Sequence, residues 1–281
     1  MRGIPGAALV DDPLDLGFPV ASAAISPGRD FILAASSNDS ELHLVRLDGS
    51  TPMVAALPAA TLTGRIVFSP SGRSALLFQE AGASRILTGL PDHPEARDID
   101  LGYLSKSPAA LAISDDGSLV AGSAGRNSTD PLWMLAAGAD PLQLPLSAAA
   151  ALAFRPDSHD MVVVTATGDV QVVRNPGREA EYRQISSGEI EPGDSPVVRF
   201  AQDGERAFLA NQQGRLTVID SRSGTTSSID CGCRPEAIDP LALKNVFQLT
   251  SVSSSPVMLF DASRAEARVW FVPMRQERNG Q

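Results

Sequence analysis

The two cysteines are the residues whose spacing in this 281-residue chain points most directly to chemistry. Cys231 and Cys233 flank Gly232 in a stretch that is predicted to be extended. Because residues i and i+2 of a strand face the same side, the two sulfurs can meet if Gly232 lets the backbone bend. The favoured interpretation is a disulfide that closes a small, strained and easily reduced ring, followed by a pair of buried free thiols.

A metal site is the third interpretation of the cysteine pair. Structural zinc needs four ligands at fixed spacing, and the chain has no second cysteine pair. His43, His93 and His159 are far apart in the sequence and do not occupy equivalent positions. We therefore predict no metal and no cofactor.

Residue patterns typical of enzymes are not found in the sequence. It contains no Gly-x-Ser-x-Gly elbow, no His-Glu-x-x-His motif and no phosphate-binding glycine loop. Asp48, Asp116, Asp203 and Asp220 occur in or beside predicted turns, where aspartate bonds its own backbone. His43 alternates with leucines on a predicted strand, which is typical of a packed or solvent-facing side chain. We predict no catalytic residue.

A recurring turn shows which elements position these residues. The stretch from Ile66 to Phe78 reads as a strand, a Ser69-Pro70-Ser71-Gly72 turn and a second strand. Proline presets φ at the second turn position, and glycine closes the turn. Copies recur every 38 to 46 residues, with leading apolar residues at Ile25, Phe68, Ile113, Phe154, Phe200 and Ile238.

Each repeat contains four predicted strands, which we call A to D. In the first repeat they are residues 21–25, 31–35, 41–47 and 53–57. Four antiparallel strands in a repeat of this length are typical of one blade of a β-propeller. The sequence therefore predicts an all-β, six-bladed propeller, with a seven-bladed ring containing an incomplete repeat as the alternative. We assign residues 1–19 to an N-terminal segment, 20–275 to the propeller and 276–281 to a polar tail.

The repeat pattern resembles that of a known class. The Ser-Pro-x-Gly-Arg turn, an apolar strand and an alternating strand ending in Leu47-Asp48-Gly49 are similar to the WD40-like repeats of TolB-type and YVTN-type bacterial propellers. The similarity extends from about Val20 to Pro273 and implies the propeller fold. The chain departs from true WD40 repeats, since their Gly-His and Trp-Asp signatures are missing. Such repeats serve many roles.

The N-terminus carries a candidate for closing the ring. Residues Leu14–Leu16 read as a D strand with no blade in front of them, and such a strand could join the last blade. The last repeat has a D strand of its own near Val269–Val272, so an extra outer strand or a different closure stays open.

Composition and charge exclude some classes of binding partner. A net charge of −10 argues against nucleic acid and anionic membranes, because phosphate binding needs an excess of basic residues. No apolar run reaches the roughly 20 residues that span a bilayer, and residues 1–12 lack the apolar core of a signal peptide. A complete chain would be cytoplasmic, and a fragment of an exported protein would be periplasmic or secreted. We expect a monomer or part of a larger chain.

Polar loops are the candidate binding elements. Loops on a rigid scaffold commonly carry binding, although a solvated loop is the simpler interpretation of each. The candidate residues lie in B–C loops of the first, third and fifth repeats, and they are Asn38, Asp39, Arg126, Asn127, Asp130, Asn211 and Gln212.

The predicted lining of the channel discriminates between two candidate functions. The A strands, which line the centre of a propeller, are small and apolar, and Arg65 and Arg199 are exceptions. A hydrolase needs several polar groups aimed at one point. The sequence therefore favours a non-catalytic scaffold that presents loops on one face to a protein, peptide or glycan, with a lactonase-type propeller hydrolase as the alternative.

Overall fold

The structure is a computed structural model. It describes residues 2–3, 14–47, 49, 51–61, 64–79, 83–102, 104, 108–125, 129–136, 138–176, 180–188, 195–251 and 256–273. Regular structure in these ranges consists of β-strands, with no helix that could cross a membrane. The strands form six antiparallel blades arranged as a propeller, which confirms the six-bladed prediction and not the seven-bladed alternative.

Strand β1 (Arg2–Gly3) belongs to the last blade and is described with it. Every other strand follows the A-to-D order of its blade, from the centre of the ring to its rim. Blades 1 to 3 are formed by β2 (Val20–Ile25), β3 (Phe31–Ser36), β4 (Glu41–Arg46), β5 (Met53–Thr61), β6 (Arg65–Phe68), β7 (Ala75–Phe78), β8 (Ser84–Thr88), β9 (Glu95–Ile99), β10 (Ala110–Ile113), β11 (Leu119–Ser123), β12 (Leu132–Ala136) and β13 (Leu142–Leu144).

Blades 4 to 6 repeat the arrangement. Their strands are β14 (Ala149–Phe154), β15 (Met161–Thr165), β16 (Val170–Arg174), β17 (Glu181–Ser186), β18 (Val197–Phe200), β19 (Arg206–Ala210), β20 (Arg215–Asp220), β21 (Thr226–Asp230), β22 (Asp239–Pro240), β23 (Val246–Gln248), β24 (Val257–Asp261) and β25 (Arg268–Val272).

The core lies between the blades. The middle strands are apolar on both faces because each sheet is covered by a neighbour on either side. Between blades 5 and 6, Phe208 meets Phe247 and Phe260 with ring centroids 5.1 Å away in each case. This packing explains why the second strand is mostly apolar, as in β7 (Ala75–Phe78) and β15 (Met161–Thr165).

One buried carboxylate links three consecutive A–B turns. Asp115 in blade 3 accepts hydrogen bonds from the backbone N–H (2.7 Å) and Oγ (2.6 Å) of Ser71 in blade 2. It also accepts one from the backbone N–H of Asp157 in blade 4 at 2.8 Å. Its side chain is 4% exposed. Asp115 therefore fixes the angular spacing of three blades.

The last blade carries a fifth strand. Strand β1 pairs in parallel with β25, with Arg2 opposite Trp270 and Gly3 opposite Phe271. The N-terminal strand thus adds to the outer edge of the last blade, the kind of closure that propellers use to protect an edge.

The strand predicted at Leu14–Leu16 is wrong, because these residues have no regular secondary structure. The chain bends just after them. Gly17 has a φ of 75°, and its N–H donates to Oδ1 of Asp15 at 2.9 Å. This local turn replaces the ladder bonds that an extended strand would need.

Candidate functional site

The innermost strands of the six blades surround a central channel. A cavity of about 230 Å³ inside it is lined by A strands and by the segment that leads into β22. Apolar side chains dominate its wall, among them Val67, Leu111, Leu152, Val198 and Ile238. The inner strands thus place small and aliphatic side chains around the channel.

A larger cavity opens at the end of the channel where the A strands run into the A–B turns. We call it the mouth cavity, and its volume is about 420 Å³. The wall combines an apolar part with charged groups. It is formed by Ala23, Ala24, Ile25, Ser26, Pro27, Arg29, Val67, Phe68, Arg199, Asp239 and Pro240.

Arg199 reaches the mouth cavity from β18. Its Nη1 donates to the carbonyl of Ile238 at 3.2 Å and lies 4.0 Å from Oδ1 of Asp239. Burial lowers the pKa of Arg199, the charge of Asp239 raises this pKa, and the charge of Arg29 lowers it again. An arginine side chain nonetheless stays protonated in proteins. The cavity therefore contains a partly desolvated permanent cation.

Arg29 contributes the second cation from the A–B turn of blade 1. Its Nε donates to the carbonyl of Pro240 at 2.6 Å, which joins the first blade to the last. Its backbone is left-handed, with a φ of 57°. The equivalent turn positions of blades 2, 3 and 5 are Gly72, Gly117 and Gly204. A residue with a Cβ costs about 1–2 kcal/mol in this conformation, so blade 1 carries strain that those three blades avoid.

The mouth cavity carries net positive charge. Among its lining residues, two guanidiniums face one carboxylate, Asp239, whose side chain is 59% exposed. The chain as a whole has a net charge of −10. Deeper in the channel, Glu236 is exposed and accepts a hydrogen bond from the N–H of Ser251 at 3.2 Å. The cavity is thus a local cationic patch in an acidic molecule.

The two arginines that the sequence singled out do not share a site. Arg65 is the first residue of β6, is exposed, and is not among the residues that line the mouth cavity. Arg199 meets Arg29 instead, which the sequence prediction missed. A signal existed, because Arg29 stands where three other repeats have glycine. This signal was missed because the neighbouring Gly28 can be aligned with those glycines, and Arg29 then falls one position later.

The candidate loop residues of blade 1 take part in a local turn. Oδ1 of Asp39 accepts the N–H of Glu41 at 3.0 Å, and the N–H of Asn38 donates to Oγ of Ser36. Both residues are exposed. Backbone hydrogen bonds hold the pKa of Asp39 below its usual value. A role in binding stays a prediction for these two residues.

In blade 5 the candidate residues support the fold. Asn211 is buried, its Oδ1 accepts the N–H of Arg215 at 2.9 Å, and its Nδ2 donates to Gln213. Gln212 accepts a hydrogen bond from Arg234 at 2.8 Å. This geometry gives Asn211 the role of a turn former, and binding by the loop stays a prediction.

The candidate residues of blade 3 are only partly described. Asp130 is half-buried in the B–C loop, and Arg126 and Asn127 lie outside the described residues. The predicted loop residues therefore come from three separate blades, and a role in binding remains a prediction for all of them.

Cys231 and Cys233 are joined by a disulfide, with their Cα atoms 5.2 Å apart. The pair follows β21 directly and begins the segment that enters the channel as β22. The N–H of buried Cys231 donates to the carbonyl of Gly214 at 2.8 Å. Within the described part of the chain, no three His, Cys, Asp or Glu side chains are grouped closely enough to hold a metal ion.

A Ser, a His and an Asp meet on the A–B turn surface of blades 3 and 4. Nε2 of His159 lies 3.1 Å from Oγ of Ser118 and 3.0 Å from Oδ2 of Asp116. In a catalytic triad the two partners bond opposite ring nitrogens. Here both bond the same nitrogen, so the aspartate does not orient the histidine as a base. The contact ties two turns together.

The fold and the mouth cavity together define a six-bladed β-propeller whose charged cavity lies at one end of the ring, an arrangement suited to a scaffold or binding role. No family model and no curated protein matches the chain, so similarity to TolB-type or YVTN-type propellers stays a prediction.

Solved structures show the same fold. A functionally unknown protein from Desulfotomaculum acetoxidans is 14% identical with a TM-score of 0.57, over 93% of this chain and 92% of that one. The β-propeller domain of Cps50 (Swd1) from Myceliophteria thermophila is 13% identical with a TM-score of 0.52, over 73% of this chain and 69% of the other.

Proposed function

We propose that the protein is a non-catalytic binding scaffold that receives a segment of a partner protein or peptide in the mouth cavity. The observation that carries the proposal is the joint presence of apolar walls and two arginines in one open cavity of about 420 Å³. Ligand sites are typically concave and mostly apolar, with a few placed polar groups. A rigid ring presents such a site without rearrangement.

The walls favour a peptide over a glycan. Ala23, Ile25 and Val67 supply aliphatic surface, which suits an apolar side chain. Phe68 packs edge-on against Phe31, with ring centroids 5.6 Å apart. This ring therefore packs inside the protein and does not offer its face to a sugar. The proposed site lies at the A–B end of the channel, whereas the sequence favoured the opposite loops.

Two matched substitutions on β2 test the site. Ile25 lines the mouth cavity and is 49% exposed, while Val20, at the other end of the strand, is 44% exposed and is not among the cavity's lining residues. Ile25→Glu and Val20→Glu each place one negative charge on an exposed apolar position. Both variants and the wild-type protein would be applied to peptide and glycan arrays.

We expect saturable binding to a subset of peptides, lost in Ile25→Glu and kept in Val20→Glu. Equal loss in both variants, or binding to glycans alone, would contradict the proposed site. Lactone hydrolysis above background by the purified protein, abolished by changing a channel residue, would favour the hydrolase instead.

A further inference from the structure

Two guanidiniums line the wall of the mouth cavity. Arg199 bonds the carbonyl of Ile238, and Arg29 bonds the carbonyl of Pro240. These acceptors are two residues apart on one segment, which corresponds to roughly 7 Å in an extended chain. Both cations are therefore anchored to one short segment of the cavity wall.

Both guanidiniums keep donors for a ligand. Among the described residues, Arg29 is bonded through Nε and Arg199 through Nη1. A guanidinium has five N–H donors in a planar fork, and paired donors of this kind suit a carboxylate. The nearby Asp239 lies 4.0 Å from Arg199 and is largely exposed, so it offsets only one of the two positive charges.

We propose that the mouth cavity binds a carboxylate attached to an apolar group, supplied by the C-terminus or an acidic side chain of a peptide. The proposal deepens the scaffold function and rests on it. The two arginines and Asp239 leave one net positive charge, which matches a monoanion. A phosphate dianion would exceed this charge in a chain that already carries −10. Ile25 and Val67 supply the apolar wall beside the cations.

The backbone conformation at Arg29 could be formed by glycine as well. It is left-handed with a φ of 57°, where blades 2, 3 and 5 have glycine. The A–B turns of blades 4 and 6 also contain a left-handed residue other than glycine, Asp157 and Asn245. Glycine would satisfy the turn, so the turn itself does not require arginine.

The test compares two probes of the same shape. N-acetyl-leucine carries a carboxylate next to an apolar side chain, and N-acetyl-leucinamide replaces that carboxylate with a neutral amide. Binding would be measured by NMR titration of the full chain. Arg29→Gly is the main variant, because it should change the stability of the fold little. Glycine relieves the strain of the left-handed backbone, and this gain offsets the loss of the hydrogen bond to Pro240. Arg199→Gln is the second variant, and Arg65→Gln removes a channel arginine that does not line the cavity.

We expect N-acetyl-leucine to bind at least about tenfold more tightly than the amide, as for one lost charge-assisted interaction. Arg29→Gly and Arg199→Gln should each weaken it by about tenfold, the size of a lost hydrogen bond to a charged group, and Arg65→Gln should have no effect. Equal binding of the two probes, equal loss in Arg65→Gln, or tighter binding of phenyl phosphate would overturn the proposal.

Peptides distinguish the source of the carboxylate and separate the two proposals. One peptide has a free C-terminal leucine, and a second has an internal glutamate and an amidated end. Preference for either one over its uncharged analogue supports the carboxylate site and names its source. Peptide binding that is lost in Ile25→Glu but needs no carboxylate overturns this inference and leaves the scaffold intact. No peptide binding at the mouth cavity overturns both.

Discussion

Asp115 shows how one residue can hold several blades in place. Its buried carboxylate accepts three hydrogen bonds from two neighbouring blades. The sequence does not single out Asp115, because its partners lie 44 residues before it and 42 residues after it. This long-range role follows only once the A–B turns are placed side by side.

Replacing Asp115 with alanine should lower the free energy of unfolding by about 3 kcal/mol, because three partly buried donors lose a charged acceptor. Urea denaturation measures the change. The matched control is Asp98→Ala, whose carboxylate is exposed and pairs with Arg85 at 2.9 Å; such surface pairs contribute less than about 1 kcal/mol. Similar losses in both variants would contradict the role of Asp115.

Asp116 is expected to make the stability of the folded protein depend on pH. Burial acts to raise the pKa of this carboxyl, but hydrogen bonds from Ser114, Ser118 and His159 outweigh it and hold the pKa well below its ordinary value of 3.8. A carboxyl with a lowered pKa stabilises the folded state above that ordinary value, and the stabilisation is lost as the pH falls below it.

The free energy of unfolding of Asp116→Asn should therefore fall short of the wild-type value at pH 6, and the difference should shrink towards pH 2. Urea denaturation across this pH range measures both proteins. Two curves that stay parallel from pH 6 to pH 2 would rule out this account of Asp116.

The cysteine pair is predicted to react only after reduction. Thiol titration of the air-oxidised, denatured protein should detect no thiol, and two should be detected after treatment with reductant. Because the closed loop is very short, Cys231→Ser/Cys233→Ser should cost only about 1–2 kcal/mol of stability. Two reactive thiols before reduction would contradict the disulfide.

At the scale of elements, the sequence predicts most of the propeller. The A–B turn recurs with proline and glycine at fixed positions, and the flanking strands are apolar because each blade is covered on both sides. The observed strands of blade 1 lie within a few residues of the predicted ones. Strand β1 could not be predicted, because Arg2–Gly3 is too short for any hydrophobic pattern and pairs with β25, over 260 positions away.

Ring closure provides a prediction at this scale. Removing residues 1–3 should lower the melting temperature by a few degrees, as expected for the loss of about 1–2 kcal/mol in a domain of this size. Removing residues 1–17 should add little to this loss, because Leu14–Leu16 form no strand. A loss seen only with the longer truncation would restore Leu14–Leu16 as the closing element.

At the scale of the whole molecule, closure of the ring creates the mouth cavity. Arg29 comes from blade 1, Arg199 from blade 5, and the carbonyls that hold them from the segment entering blade 6. The sequence identified Arg199 because it interrupts an apolar strand. Its partner could not be identified, since their proximity depends on how the last blade meets the first.

A crystal structure of the protein with N-acetyl-leucine tests the central claim most directly. We predict six blades, with the carboxylate within hydrogen-bond distance of both Arg29 and Arg199 and the leucine side chain against Ile25 and Val67. Ligand density at the opposite end of the channel, or the two arginines on separate walls with no ligand between them, would contradict it.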